Sequence, residues 1–175
     1  MRRTIVIGTT GAGKSTLAQR LAEKTGAALI DPDEIHWLPG WKERPRENFR
    51  RLIDEATRGE SWVFAGNYMS RAQDIVWPRA DALVWLDVPF WPNFWRLLRR
   101  TLARARTGEN ICNGNRETFA KSFFSRGSIL WWFLKTWAKN RKRYAAVFAA
   151  PQDYPHLKMI RLCSDTERTR FLEEV

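Results

Sequence analysis

Short apolar runs alternate with amphipathic stretches along most of this chain. Thr4-Ile5-Val6-Ile7 is β-branched and stops at Gly8, the pattern of a buried first strand. Residues 14–25 place Leu17, Ala18, Leu21 and Ala22 at helical spacing, and Gly26 is a helix stop. Ala27-Ala28-Leu29-Ile30 predicts a second strand ending at Asp31, followed by a loop over 34–44 rich in Trp, Pro and Gly. A helix over 46–58 carries Phe49, Leu52, Ile53 and Ala56 on one face and ends at Gly59. Residues 62–65 and 82–86 read as a third and a fourth strand, and 157–162 as a fifth. Between the last two, Pro89 and Pro92 open a helix running to about Arg106. A Gly/Asn-rich connection follows, then a second helix over roughly 128–149. Ser164 or Asp165 caps a final helix. Strand and helix in alternation predict a parallel sheet with crossover helices. No repeat or low-complexity linker divides the 175 residues, so one domain is expected over 1–175.

Between the first strand and the first helix stands Gly8-Thr9-Thr10-Gly11-Ala12-Gly13-Lys14-Ser15-Thr16, a complete G-x-x-x-x-G-K-S loop. Its glycines let consecutive N–H groups turn around a phosphate, and the helix N-terminus adds its positive end. Lys14 is placed for the β- and γ-phosphates of a nucleoside triphosphate and the Ser15 hydroxyl for Mg²⁺, so ATP and Mg²⁺ are the expected cofactors. Open α/β sheets bind ligands beyond the carboxyl ends of their strands. That places Asp31-Pro32-Asp33, Gly66-Asn67-Tyr68 and Asp87 at the site. With Pro32 holding the segment extended, Asp31 and Asp33 suit Mg²⁺ ligation through water, or orientation and deprotonation of an acceptor hydroxyl. The competing reading makes Asp33 the cap of a short helix, Asp33-Glu34-Ile35-His36. His36, Trp37 and Trp41 lie on the acceptor side, where they suit a stacked aromatic acceptor; core packing explains a lone tryptophan equally well.

The charge distribution adds one local feature. Residues 96–143 hold thirteen lysines and arginines against Glu109 and Glu117, which is +11, the net charge of the whole chain. Cations of this number serve phosphate neutralisation, or a nucleic-acid backbone or polyanionic acceptor with Trp131, Trp132, Trp137 and Tyr144 interleaved. For 128–149 the near-helical spacing favours an amphipathic helix that buries its tryptophans and solvates its lysines. Cys112 and Cys163 are far apart and outside any metal or redox spacing, as in free thiols of a reducing compartment. No segment reads as a signal peptide, and the most apolar run, 129–134, is too short to span a bilayer. A cytoplasmic location is expected. With only His36 and His156, a histidine-based hydrolase triad is not expected. The oligomeric state is open.

Leu86-Asp87-Val88-Pro89, followed by a helix with Arg96 and Arg100 four residues apart, resembles the adenylate kinase-like P-loop kinases. The resemblance implies an α/β P-loop NTPase three-layer sandwich with a five-stranded, mostly parallel sheet and a basic helical lid insertion. The core is then about 1–95 and 150–175, and the lid about 96–149. It implies that Arg96 stacks on the adenine, that Arg100 contacts phosphates at the lid entrance, and that Asp87 is structural. Read as a lid, the basic segment has Arg99, Arg100, Arg104 and Arg106 flanking that entrance, where their charge neutralises the moving group. Asp31-x-Asp33 resembles the acceptor-binding and Mg²⁺-linked acids of shikimate kinase and its relatives. The runs 33–41, 66–68, 77–81 and Asn113-Gly114-Asn115-Arg116-Glu117 resemble bacterial proteins called DNA topology modulation proteins over nearly the whole chain. One position departs: adenylate kinases carry an acid where this chain has Ala65, so metal binding rests on Ser15 with Asp31 and Asp33. Arg71 is a displaced counterpart of a phosphate-anchoring arginine. The expected activity is γ-phosphoryl transfer from Mg·ATP to a nucleotide or other small-molecule acceptor. Lys14, Asp33, Arg100 and Arg104 are the catalytic candidates, and Asp33, His36, Trp37, Arg71 and Arg116 the acceptor-side candidates. The alternative is ATP-dependent nucleic-acid binding through 96–143.

Overall fold

β-branched and aromatic runs supply the strands, and their two faces alternate in the chain. In the computed structural model, which describes residues 1–107, 110–116 and 128–175, β1 (Arg3–Gly8) leads through the glycine loop into α1 (Lys14–Thr25) and β2 (Ala28–Ile30). The segment read as a loop over 34–44 is structured instead. It holds a one-turn helix α2 (Pro32–His36) and an antiparallel hairpin of β3 (Trp37–Leu38) and β4 (Lys42–Glu43). Then come α3 (Arg46–Ala56), β5 (Trp62–Ala65), α4 (Met69–Val76), a 3₁₀ turn at Trp77–Arg79 and β6 (Ala82–Leu86). A long helix α5 (Phe90–Thr107) and a small hairpin of β7 (Asn110–Ile111) and β8 (Asn115–Arg116) follow. The chain closes with α6 (Ile129–Ala149), β9 (Lys158–Leu162) and α7 (Asp165–Glu174).

The main sheet has the order β2-β5-β1-β6-β9 with every pairing parallel. Two layers cover it. Ile5 and Ile7 of β1, with Phe64, Leu83 and Trp85, face a core completed by Phe49 and Ile53 of α3, Ala72 and Val76 of α4, and Tyr144 of α6. Val6, Val63, Val84 and Leu86 face the opposite way, against Leu17, Ala18 and Leu21 of α1 and Phe171 of α7. The alternation follows from the period of two in a strand. Chain order reverses direction across β1, so the glycine loop sits at the point where open parallel sheets form their ligand crevice.

Asp87, just beyond β6, is buried and joins three elements. Its carboxylate accepts from Arg141 of α6 (2.7 Å) and from Arg161 of β9 (3.1 Å from Nε). Burial pushes its carboxyl up, but the two guanidinium hydrogen bonds outweigh this and hold the group below the ordinary aspartate range. A depressed folded value stabilises the protein above the unfolded pKa, and that contribution is lost as pH falls through the folded value. We expect Asp87→Asn to lower unfolding stability by about 2 kcal/mol near neutrality. The gap from wild type should narrow in acid, as read by denaturant titrations across pH.

One sequence expectation is reversed. Trp131 and Trp132 of α6 face solvent, Trp137 is half-buried, and the positions α6 buries are Phe133 and Tyr144. At 100° per residue Trp131 lies nearly opposite Phe133, so the buried stripe misses it.

Candidate functional site

Asparagines hold the glycine loop from two sides. Asn67, after β5, accepts from the Gly8 amide (3.1 Å) and donates to the Gly8 carbonyl. Asn93 of α5, fully buried, donates through Nδ2 to Thr9 Oγ1, while its Oδ1 has no hydrogen-bond partner and faces Gly11. Gly11 has φ of +80°, and a Cβ there would come within 2.9 Å of both Asn93 Oδ1 and Leu97 Cβ. Backbone conformation and close packing both demand glycine. Gly66 meets a similar limit, since an added Cβ would collide with the Pro32 ring. Neither asparagine is signalled by the loop motif, although Asn67 follows a strand at the ligand-binding edge.

Lys14 Nζ donates to the carbonyls of Gly8 (3.0 Å) and Thr9 (3.1 Å). Burial lowers its pKa to about 8; Arg100 acts in the same direction, while Asp33 and Asp31 oppose it. Lys14, Arg100 and the two acids thus share one electrostatic neighbourhood. Ser15 is exposed at the first turn of α1.

The helix cap falls to Asp31, not to Asp33. Asp31 Oδ1 accepts from the Asp33 amide (2.9 Å), and Pro32 fills the first helical position. This frees the Asp33 side chain, whose Oδ1 accepts from the Tyr68 hydroxyl at 2.6 Å. Burial first, and then the neighbouring Asp33, raise the Asp31 pKa to about 6. Burial and the Asp33 charge likewise push the Tyr68 phenol far above its ordinary value, so it remains a donor.

Beside this pair, His36 is buried, edge-on to Trp37 (ring centroids 4.7 Å), Tyr68 (5.4 Å) and Phe49 (5.6 Å). Burial lowers its pKa and the Arg71 charge lowers it further. The neutral ring then accepts from Arg71 Nη1, 3.2 Å from Nδ1. Arg71 Nη2 donates to Glu43 (2.8 Å), and the Arg71 carbonyl accepts from Arg50 (2.7 Å). The arginine is therefore fixed from three directions by α2, β4 and α3, and Glu43 and Arg50 were not singled out in the sequence.

The β7–β8 turn reaches this same place. Asn113 Nδ2 donates to the carbonyls of Glu34 (2.6 Å) and Trp37 (2.7 Å). Asn115 donates to Leu38 O (3.0 Å) and accepts from the Trp41 amide (2.8 Å). Burial pushes the thiol of Cys112, the residue before Asn113, up to about 11; the charges of Asp33, Asp31 and Glu34 add to this and Arg104 opposes it.

The structure thus brings Lys14, Asp31, Asp33, His36, Trp37, Arg71, Arg100 and Arg104 to one end of the sheet. Arg96 stands apart from this group, engaged by α7 next to the glycine loop, where Arg168 Nη1 would lie 3.5 Å from a Cβ at Gly13. Arg96 pairs with Asp165 of α7, which also takes Arg168 Nη1 at 2.9 Å. The Arg116 backbone lies in β8 but its side chain is outside the described residues, as are Glu117 and Arg126.

The donor set suits Mg²⁺. The Ser15 hydroxyl and two carboxylates are hard oxygen donors, and the Asp31–Asp33 repulsion that raises Asp31 is what a cation relieves. No group of three or more His, Cys, Asp or Glu forms a self-contained metal site among the described residues. No helix among those residues is long and apolar enough to cross a membrane.

No protein-family model and no curated protein sequence matches the chain. Solved structures do. Shikimate kinase from Acinetobacter baumannii in complex with shikimate superposes with a TM-score of 0.61 at 18% identity, covering 99% of this chain and 90% of that one. Shikimate kinase from Bacteroides thetaiotaomicron gives 0.53 at 17%, covering 99% and 95%. A gluconokinase from Sinorhizobium meliloti 1021 gives 0.51 at 18%, covering 99% and 94%. With the parallel sheet order and the G-x-x-x-x-G-K-S loop between β1 and α1, the chain has the α/β fold of the P-loop kinases.

Proposed function

We propose that this chain transfers the γ-phosphoryl group of Mg·ATP to a small-molecule acceptor seated among Asp33, Tyr68, His36 and Arg71. One observation carries the reading: Asp33, positioned by Tyr68, lies in the electrostatic neighbourhood of the loop lysine. In this arrangement Lys14 exchanges its two carbonyl partners for phosphate oxygens. Asp33 orients the acceptor hydroxyl and takes its proton, while Arg71 offers a fixed cation to an anionic group of the acceptor. Arg100 and Arg104 draw charge from the moving group. Mg²⁺, held through Ser15 and Asp31, would neutralise the phosphates. The division into a core of about 1–95 and 150–175 and a closing segment of 96–149 belongs to the same proposal, as do a cytoplasmic setting and an adenine contact at Arg96. The asparagine bonds from β7–β8 onto the acceptor-side hairpin favour a small acceptor over a polymer. The nucleic-acid alternative draws on the charge of 96–143 and on the aromatic residues interleaved with it.

The test is an acceptor screen with γ-labelled ATP. The pools are nucleoside monophosphates and hydroxy acids, the latter because the neighbours are named for shikimate and gluconate phosphorylation. Label in one acceptor supports the reading; ATP binding with label passing to water alone removes it. A pH profile adds a second expectation. As pH rises through about 6, Asp31 ionises and becomes a cation ligand, so kcat/KM at limiting Mg²⁺ rises. Asp31→Asn should abolish that limb while leaving the alkaline side unchanged.

A further inference from the structure

Four of the ten tryptophans face solvent, and all four lie on the packed pair α5 and α6: Trp91 (65% exposed), Trp95 (53%), Trp131 (47%) and Trp132 (57%). The helices meet through Phe90 and Phe94 against Phe133, at ring separations of 5.3 and 6.0 Å. On the far side of α5 from Asn93, residues Trp91, Trp95, Leu98 and Leu102 recur at i, i+4, i+7 and i+11. On α6, Trp131 lies nearly opposite Phe133, the exposed Trp132 and Leu134 flank it on either side, and Lys135 Nζ stands 5.2 Å from the Trp131 ring centre. Apolar faces this exposed are uncommon on a protein that stays free in water.

The charge on the same helices restricts what can cover them. Together α5 and α6 hold ten lysines and arginines and no aspartate or glutamate. Asp165 engages Arg96 and Asp87 engages Arg141, whereas Arg99, Arg106, Lys135, Lys139, Lys142 and Arg143 are exposed. A second copy docked face to face would set these like charges against each other. Single-stranded nucleic acid would use the cations and stack bases on indoles. It gains nothing from the exposed Leu134 or from the half-buried Leu98 and Leu102 beside the tryptophans. Indoles and leucines flanked by cations are the composition of a helix lying in the headgroup region of an anionic bilayer.

We propose that the outward faces of α5 and α6 seat this chain on an anionic phospholipid surface. The tryptophans and leucines enter the boundary between headgroups and acyl chains, and the lysines and arginines lie among lipid phosphates. This contact is peripheral and independent of which acceptor the site takes.

The test is flotation of the full chain with mixed phosphatidylcholine–phosphatidylglycerol vesicles and with pure phosphatidylcholine vesicles. The expected result is flotation with the anionic vesicles only, weakened by salt. Trp91→Ser combined with Trp132→Ser should reduce it at least about tenfold, and so should Lys135→Glu combined with Lys139→Glu. The thermal shift produced by ATP should match that of the wild type in both double variants, which separates lost docking from lost folding. Absence of flotation with anionic vesicles, or flotation untouched by both double variants, overturns the proposal. So does tryptophan-dependent binding of a single-stranded oligonucleotide without vesicle binding, or a tryptophan-dependent dimer in sedimentation.

Discussion

Replacing Lys14 with methionine should reduce kcat/KM for phosphoryl transfer by about 10²–10³-fold or more without destabilising the fold. The two halves of this expectation have separate causes. A positioned cation at the β/γ-phosphates stabilises charge in the transition state, and Asn67, which also donates to the Gly8 carbonyl, is neutral and cannot replace it. Stability moves the other way. Burial lowers the Lys14 pKa to about 8, so at pH 7 its charge is held in a site less favourable than water. The unfolded chain binds that proton more tightly, and this penalty is relieved as pH rises from about 8 toward the ordinary lysine value. Methionine fills similar volume and carries no such penalty, so melting curves near neutrality should be unchanged or shifted upward. A variant that loses activity and melting temperature together would place the role of Lys14 in the architecture of the loop.

Asp33→Asn should lower kcat by about 10²–10⁴-fold while ATP affinity stays near the wild-type value. Asparagine still accepts from Tyr68 but takes no proton from an acceptor. Tyr68→Phe, which removes only the bond that aims Asp33, should cost less in kcat and should be visible in acceptor KM. Steady-state kinetics alongside calorimetric ATP titration separates these outcomes. A large loss of ATP affinity in Asp33→Asn would move Asp33 from the acceptor side to the nucleotide side.

The five sheet strands and the helix following the glycine loop were legible because apolar period and turn residues agree there. The short helix α4 was missed: it starts directly after Gly66-Asn67-Tyr68, and its buried Ala72 and Val76 are spaced too sparsely to stand out. The β3–β4 and β7–β8 hairpins carry two residues per strand, below any periodic signal. The Asp31-Pro32 pair did carry the mark of a cap followed by a first helical proline, and that mark assigns the two acids different tasks. At the site, motif logic reached the phosphate side and named Asp33, His36 and Arg71. It did not reach their supports, because Glu43, Arg50 and Asn93 act through contacts 21 to 84 residues distant in sequence. Arg96 shows the opposite case, since helix counting could not see its partner Asp165.

Asn113 and Asn115 bond to main-chain atoms of α2 and the acceptor-side hairpin: the carbonyls of Glu34, Trp37 and Leu38 and the amide of Trp41. Such bonds are indifferent to side-chain identity but sensitive to backbone path. Replacements at Trp37 or Leu38 can therefore change the surface of the hairpin while the β7–β8 turn docks as before. Inserting a single residue in the tight turn at Gly40 and Trp41, both at positive φ, would shift the carbonyls out of reach. Side chains of the hairpin can vary in this architecture without disturbing the docked turn, whereas the docking itself is bound to chain length.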